Sequence, residues 1–459
     1  MRVSRSESVL ISSDGSVGVS AVSGEVREFS VAEKQRLQSL SSGPSWIDAV
    51  DIPLIDAGFV EPVLADTSVR QHVRSSIEAS LRQSGQLVIM PTERCNFRCT
   101  YCYETFEKGR MSDELVGAVK LYLHRSVPEF QTYHLAWFGG EPLIHDSLVA
   151  DVTQTFRSIQ SACQSNGTVS VTTNGWYLKP KVAKRLDDAG VDIYQITLDG
   201  PEGIHDSQRV LSNGAPTYSR ILENIDDLLS ATGAHVMIRI NVDTDDSSST
   251  ATIGAWLRED LFGRFADYRD RVQFNVVPIW TADTHHIEGI CLTELHKYQV
   301  WKSVLDFKLQ WEGRSSAQYL ANVLSEVGHL ACYAGKPDNY VIGSDGAIYK
   351  CTVAFDRPEN AIGRLGYDGD LILDAEKELL WTSANATTDP ICSACAFSLS
   401  CQGLFCPLLR MQTNSQPCPT EKRFYADLLM PRSDKEFGES DDVVINMRNR
   451  RRIPIIYAQ

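Results

Sequence analysis

Three cysteines fall within eight residues, Cys95-Asn-Phe-Arg-Cys99-Thr-Tyr-Cys102, spaced Cys-x3-Cys-x2-Cys just after the apolar run Leu87–Met90. Three thiolates can bind three irons of a four-iron cluster and leave the fourth iron without a protein ligand. A cluster closed by four cysteines carries electrons, whereas an open iron also binds a substrate and does chemistry on it. The alternative for such a triad is a zinc knuckle. Zinc takes four ligands, and the next cysteine is Cys163.

A second cysteine field lies near the C-terminus: Cys332, Cys351, Cys392-x2-Cys395-x5-Cys401-x4-Cys406 and Cys418. The chain has twelve cysteines, none before Cys95. The N-terminus, Met-Arg-Val-Ser-Arg-Ser-Glu, lacks an apolar signal segment, and no run approaches transmembrane length. The expected compartment is therefore the cytoplasm, where tightly spaced cysteines read as metal ligands rather than disulfides. A formal charge of −15 argues against nucleic acid or an anionic membrane as partner. With 459 residues, 43% hydrophobic and 22% charged, the chain has material for two or three globular domains.

These cysteines need elements to position them. Strand-like runs occur at Gln86–Met90, Tyr133–Phe138, Thr168–Thr173, Ile193–Leu198, Val236–Val242 and Gln273–Val277, with helical patterns between them. Ser112 caps one of these helices, with Asp113 and Glu114 in its first turn. Another is expected over Thr252–Phe265. Alternating strands and helices predict an α/β fold with a parallel sheet and right-handed crossovers, its active site at the carboxyl ends of the strands. The polar motifs fall there: Cys95 after the first strand, Gly139-Gly140-Glu141-Pro142 after the second, Thr173-Asn174-Gly175 after the third and Asp199-Gly200-Pro201 after the fourth.

Around this unit, residues 85–291, lie three others. Residues 1–84 read as a small α+β module: Val9–Phe29 alternates in a strand-like way, Val31–Leu40 is helical, a short helix turns at Gly58 into a strand, and Arg70–Ser84 is a helix closed by Gly85. The pattern is compatible with a winged-helix-like element, and equally with an extension packed on the next domain. Residues 292–430 combine bridging helices with the second cysteine field, and Asp345-Gly346 makes a hairpin turn that brings Cys351 back towards Cys332. Residues 431–459 form a charged tail. Thr284-His285-His286-Ile-Glu288 lacks ligand spacing and is assigned no metal.

The triad, with Tyr101 inside it and Tyr103-Glu104 after it, resembles the radical S-adenosylmethionine (radical SAM) family. That resemblance implies an incomplete (β/α)6 TIM-like barrel. It also implies an open iron chelated by the amino and carboxylate groups of SAM, and cleavage of SAM to a 5′-deoxyadenosyl radical that abstracts a hydrogen atom. Carried over by position, Gly139, Gly140 and Glu141 hold the SAM ammonium group, the glycines by letting carbonyls approach a cation and Glu141 by its charge. Thr173 and Asn174 contact the ribose, and Tyr101 is a further cofactor contact. Arg209, at the end of the stretch from Asp199 through His205-Asp206, pairs with the carboxylate, and Ile238–Asn241 lies against the adenine.

The C-terminal cysteines resemble the SPASM extension of radical SAM enzymes that act on peptides and proteins, which carries two auxiliary four-iron clusters. By position, Cys392, Cys395, Cys401 and Cys418 close one cluster, and Cys332, Cys351 and Cys406 hold three irons of the other. The family pattern usually has three residues between the last two closely spaced cysteines; here there are four, Gln402 to Phe405. Its eighth cysteine falls on Glu326, so the cluster at Cys332 is expected to keep an open iron that suits a substrate thiolate. Sulfatase-maturing relatives place an acidic base just after the Cys351 position, where this chain has Thr352.

The resemblance as a whole implies a radical SAM oxidoreductase of the SPASM subclass with three [4Fe–4S] clusters and SAM. Its substrate is a ribosomally made precursor peptide, its product a thioether or side-chain cross-link, and its electrons come from an external donor such as flavodoxin or ferredoxin. The enzyme alternatives are sulfatase-maturing-type oxidation of a protein residue and radical dehydrogenation of a small molecule. From a different class, a non-catalytic iron–sulfur or zinc-binding protein remains. Release of 5′-deoxyadenosine separates the two classes.

Overall fold

The computed structural model describes residues 1–63, 66–242, 247–278 and 295–429. The paired histidines His285 and His286, Cys291 and the stretch 431–459 lie outside them.

Ten strands form one sheet. Six of them, Ser84–Ile89, Thr132–Trp137, Asn166–Thr173, Ile193–Thr197, His235–Val242 and Val272–Pro278, match the six expected runs. They lie side by side in chain order, each parallel to the next. Burial on both faces suits parallel pairing, and every residue of Ile193–Thr197 is buried. Helices Asp113–Ser126, Asp146–Cys163, Pro180–Ala189 and Tyr218–Ala231 fill the crossovers. The core between sheet and helices is built from residues such as Leu135, Trp137, Val152, Phe156, Leu186 and Ile225. Ser112 caps its helix as expected, its Oγ accepting from Leu115 N at 3.3 Å. The helix expected over Thr252–Phe265 is interrupted: Ser247–Trp256 passes through a π-helical turn, Leu257–Leu261, before Phe262–Arg264.

The sheet does not close into a barrel. Beyond Ser84–Ile89 it is extended by a strand from far along the chain, Asn339–Ile342, which pairs with it in parallel. Asn339–Ile342 then turns through Asp345-Gly346 into Ala347–Tyr349, and Ala361–Leu365 and Leu371–Leu373 continue antiparallel. This hairpin is the expected one, and it carries Cys351 at its exit.

The N-terminal residues form two small antiparallel sheets, one of Ser45–Trp46, Arg2–Arg5 and Val60–Pro62, the other a meander of Val9–Ile11, Val17–Ser20 and Val26–Glu28. The helix Val31–Ser41 follows, opened by a capping box between Ser30 and Glu33. Leu10, Val17 and Val19 of the meander share a core with Tyr319, Leu320 and Leu324 of Ser316–Ser325 and with Leu428 of Thr420–Leu429. The N-terminal sheet is thus packed on the C-terminal helices. One expectation is corrected here. Gly85 does not close the preceding helix, Asp66–Gln83; it lies inside the strand, paired with Tyr133.

Candidate active site

The loop after Ser84–Ile89 carries Cys95, Cys99 and Cys102, and two neighbouring segments hold it. Gly140 N donates to Thr92 O at 3.2 Å, and Glu141 N donates to Arg94 O at 3.0 Å. A Cβ on Gly140 would lie 2.1 Å from Glu93 O and 2.6 Å from Arg94 O, so only glycine lets the second loop lie against the first. On the other side, Phe97–Cys99 pairs antiparallel with Arg209–Leu211, which sets Cys99 opposite Arg209. The three thiols lie within electrostatic reach of one another. Burial, reinforced by Glu141 and the other two thiols, pushes Cys95 up to about 12, and burial takes Cys102 up to about 11. Phe97 N donates to Cys95 Sγ at 3.3 Å and Asn174 Nδ2 at 3.7 Å, contacts that suit a thiolate.

A polar network lies beside the triad. The Tyr101 hydroxyl donates to the Asp199 carboxylate and accepts from Arg209 Nη1 at 2.7 Å and Asn241 Nδ2 at 3.0 Å. Asn241 Nδ2 also donates to Asp199 Oδ1 at 2.9 Å. Arg209 is buried, and its Nε has no hydrogen-bond partner among the described residues. Its charge persists because Cys99, Tyr101 and Asp199 outweigh the opposing effect of burial. His205 and Asp206, part of the same motif, are structural. Burial lowers His205 to about 3, leaving it neutral, and its Nδ1 accepts from Asp199 N at 3.2 Å. Asp206 Oδ1 accepts from Thr217 N and Tyr218 N at the start of Tyr218–Ala231.

Glu141 does not present a free charge. It is fully buried. Its Oε1 accepts from Leu143 N at 2.8 Å, its Oε2 from Asn174 N at 2.7 Å, and the Thr173 hydroxyl bridges both oxygens at 2.8 and 3.0 Å. Burial raises it to about 7 against these donors. Glu141 therefore ties the second strand-end loop to the third, and Thr173 and the Asn174 backbone serve that tie.

The C-terminal cysteines fall into two groups. Cys351 feels both Cys332 and Cys406, and all three are buried. Cys401, pushed up to about 12 by burial, also feels Cys392, Cys395 and Cys418. Leu409 N donates to Cys406 Sγ at 3.5 Å and Lys422 Nζ to Cys418 Sγ at 3.5 Å. The extra residue before Cys406 is absorbed by Gln402 and Gly403, both left-handed at φ 54° and 67°. Tyr103 is 41% exposed as a residue, yet desolvation of its hydroxyl raises that group well above the usual range, with Glu104, Cys102 and Cys351 adding to the effect.

Asn360 is a positioning residue with no signal in the sequence. Fully buried, it accepts from Lys350 N and Cys351 N through Oδ1 and donates to Cys351 O and Ala354 O through Nδ2, all within 3.1 Å. Thr352, beside Cys351, is buried and paired with the Tyr333 hydroxyl at 3.1 Å.

All eleven cysteines among the described residues are free thiols. Among the described residues no group of three or more His, Cys, Asp or Glu side chains is close enough to hold a single metal ion. Four-iron clusters ask for something else, since each thiolate takes a different iron. Buried, undisulfided thiols with N–H donors already aimed at sulfur fit such clusters, because bound iron deprotonates a thiol that burial alone would keep protonated. The unpartnered Arg209 Nε beside the triad fits an anionic ligand.

Residues 89–248 match the Radical SAM superfamily model. The serine-type anaerobic sulfatase-maturating enzyme of Klebsiella aerogenes is 24% identical over 375 residues, 73% of this chain and 83% of that one. The GTP 3′,8-cyclase of Lactiplantibacillus plantarum is 36% identical over 115 residues, 24% of this chain and only 31% of that one. In fold, the chain is similar to native anSMEcpe with bound AdoMet and Kp18Cys peptide, with a TM-score of 0.53 and 17% identity over 75% of this chain and 98% of that one. With its triad at the mouth of an open, six-stranded parallel array, this chain carries a stretch, residues 89–248, similar to the radical SAM superfamily, whose members use a [4Fe–4S] cluster and SAM.

Proposed function

We propose that the chain is a SPASM-type radical SAM oxidoreductase that matures a ribosomally made peptide, forming a thioether or side-chain cross-link. The observation that carries this reading is the gathering of ten cysteines into three groups of three, three and four. Cys95, Cys99 and Cys102 would hold the SAM-binding cluster, Cys332, Cys351 and Cys406 an auxiliary cluster with an open iron, and Cys392, Cys395, Cys401 and Cys418 a closed one.

When bound, the cluster and SAM supply a 5′-deoxyadenosyl radical that takes a hydrogen atom from the substrate. The protein's part is positioning. Arg209, held by Tyr101 and Asp199, offers Nε to the SAM carboxylate as a fixed cation. Asn241 fixes Tyr101 and Asp199 from the neighbouring strand, and Gly140 and Glu141 keep the cysteine loop in register. The Tyr103 hydroxyl is within electrostatic reach of both Cys102 and Cys351, which supports substrate binding near these groups. A peptide substrate is supported by the peptide named with the anSMEcpe structure. Flavodoxin or ferredoxin would supply the electron. Residues 1–84 would grip a leader peptide. Among the described residues no helix is long and apolar enough to cross a membrane, in keeping with a cytoplasmic enzyme.

Oxidation of a protein residue, as in the Klebsiella aerogenes relative, is the second reading, favoured by a similarity spanning 73% of this chain. Against it stands the Thr352–Tyr333 pair where an acidic base would be needed.

Anaerobic co-expression with short peptides encoded beside the gene, followed by intact mass and fragmentation, tests the proposal. Loss of two hydrogens with fragmentation blocked between two residues is the expected outcome. An unmodified peptide, with 5′-deoxyadenosine still released from SAM, would move the substrate to a protein or small molecule. Cys95, Cys99 and Cys102 changed together to Ala should abolish that release; persistence of SAM cleavage would refute the cluster assignment.

A further inference from the structure

Gln402 is fully buried, and neither its Oε1 nor its Nε2 meets a hydrogen-bond partner among the described residues. Ser400, two residues earlier, is fully buried with its Oγ equally unpaired. Such atoms nearly always have partners in folded proteins, because an unmet polar group in a dry interior costs about 1–3 kcal/mol. Gln402 also sits in the left-handed region at φ 54°, which few residues other than glycine, asparagine and aspartate adopt. Desolvation and backbone strain thus fall on one side chain.

Its position explains what it can partner. Gln402 directly follows Cys401 of the four-thiol group, yet its amide reaches across to Gly328, as does the Lys336 ammonium. A Cβ on Gly328 would lie 3.2 Å from Gln402 Nε2 and 3.1 Å from Lys336 Nζ, and Gly328 has φ +73°. Two nitrogen donors therefore converge over a backbone that only glycine leaves open. Lys336 Nζ has no hydrogen bond or ion pair among the described residues, and Cys332 is the one group that favours its charge while burial opposes it. The segment that carries Gln402 lies along the one that carries Cys332: Leu330 N donates to Ser400 O at 3.1 Å and Cys332 N to Leu404 O at 2.8 Å.

We propose that Gln402 and Lys336 donate hydrogen bonds to the sulfurs of the auxiliary cluster held by Cys332, Cys351 and Cys406, and so set its reduction potential. The inference rests on the reading of those thiols as cluster ligands. A fully buried amide donor without a protein acceptor, as Gln402 is, calls for an electron-rich acceptor, and sulfide or thiolate sulfur is the one that reading supplies. Reduction adds negative charge to a cluster, so hydrogen bonds and a nearby cation favour the reduced form and raise the potential.

The test uses the full chain with Cys95, Cys99 and Cys102 changed to Ala, which leaves only the auxiliary clusters, reconstituted anaerobically with iron and sulfide. A redox titration followed by electron paramagnetic resonance reads their midpoints. Gln402→Leu and Lys336→Met should each lower one midpoint by about tenfold in the reduction equilibrium, ~59 mV for one electron, with iron content unchanged. Gln402→Glu, which replaces a donor by a charge, should lower it further. Unshifted midpoints at full iron content would overturn the proposal. Should Gln402→Leu fail to fold, the partly exposed Lys336→Met still decides it. Failure of the triple variant to take up iron would instead bring down the auxiliary-cluster reading, and this proposal with it.

Discussion

Cys99 stands opposite Arg209 across a pair of three-residue antiparallel strands. The pairing sets a guanidinium beside the middle thiol of the triad, and Tyr101, two residues further on, accepts from its Nη1 at 2.7 Å. The cysteine loop and the arginine motif, far apart in the chain, are thereby one unit. A shift in either strand would move both a cluster ligand and the cation proposed to bind SAM.

Arg209→Lys should separate charge from geometry at this unit. Lysine keeps the charge but cannot hold Tyr101 and offer a second N–H at once. Loss of a charge-assisted hydrogen bond predicts SAM binding weaker by about tenfold or more, from ~1.5–3 kcal/mol. Calorimetric titration of SAM into the reconstituted enzyme checks it, and equal affinity in the variant would remove Arg209 from the pocket.

Glu141 predicts a pH dependence of stability. Its folded value, about 7, is raised above the ordinary 4.5. Between these values the unfolded chain has released the proton that the folded chain retains, so this group's contribution is fully present below about pH 4.5 and is lost as pH rises towards 7. The loss is at most about 3 kcal/mol. Denaturant unfolding near pH 5 and pH 8 should show a larger fall in the wild type than in Glu141→Gln; parallel falls would contradict it.

Gly140→Ala should loosen the brace on the cysteine loop. The added methyl has no room against Glu93 O and Arg94 O, both backbone atoms. Overpacking of this kind costs about 1–3 kcal/mol. Iron bound by the triad should fall with it, measurable as a loss of 5′-deoxyadenosine release at an otherwise folded circular dichroism spectrum. Full activity in the variant would mean the loops can part without consequence.

Asn360→Ala should damage the second thiol group and spare the first. It takes the Asn360 partner from the N–H groups of Lys350 and Cys351 and from Cys351 O in a buried site, while Ala354 O keeps its bond from Arg357 N. A stability loss of about 2–4 kcal/mol is expected. Iron content should drop by roughly one cluster while SAM cleavage by the triad persists. Unchanged iron would show that Cys351 needs no such clamp.

Much of the site was legible because its signals are short. The triad's spacing, the paired glycines and the strand runs each lie within a dozen residues, and the six expected strands are present and parallel. The role of Glu141 was not legible: a carboxylate after two glycines looks like a charge offered to a ligand, and only its contacts with Leu143, Thr173 and Asn174 reveal a tie between loops. Asn360 carried no signal at all, since a single asparagine in a Pro-Glu-Asn turn looks like any loop residue. Gly85 misled because a glycine after a helical pattern usually stops the helix, whereas here the strand begins at once.

The sequence by itself determined the elements and the ligand types, since strand alternation, helix caps and cysteine spacing are properties of neighbouring residues. Tertiary structure alone decided that Asn339–Ile342 extends the sheet beside Ser84–Ile89, that Arg209 faces Cys99, and that the Gln402 amide and Lys336 both reach Gly328. The physical reason is that these are pairings across long stretches of chain. Their register is set by the packing of whole elements and leaves no periodic mark in the residues that make them.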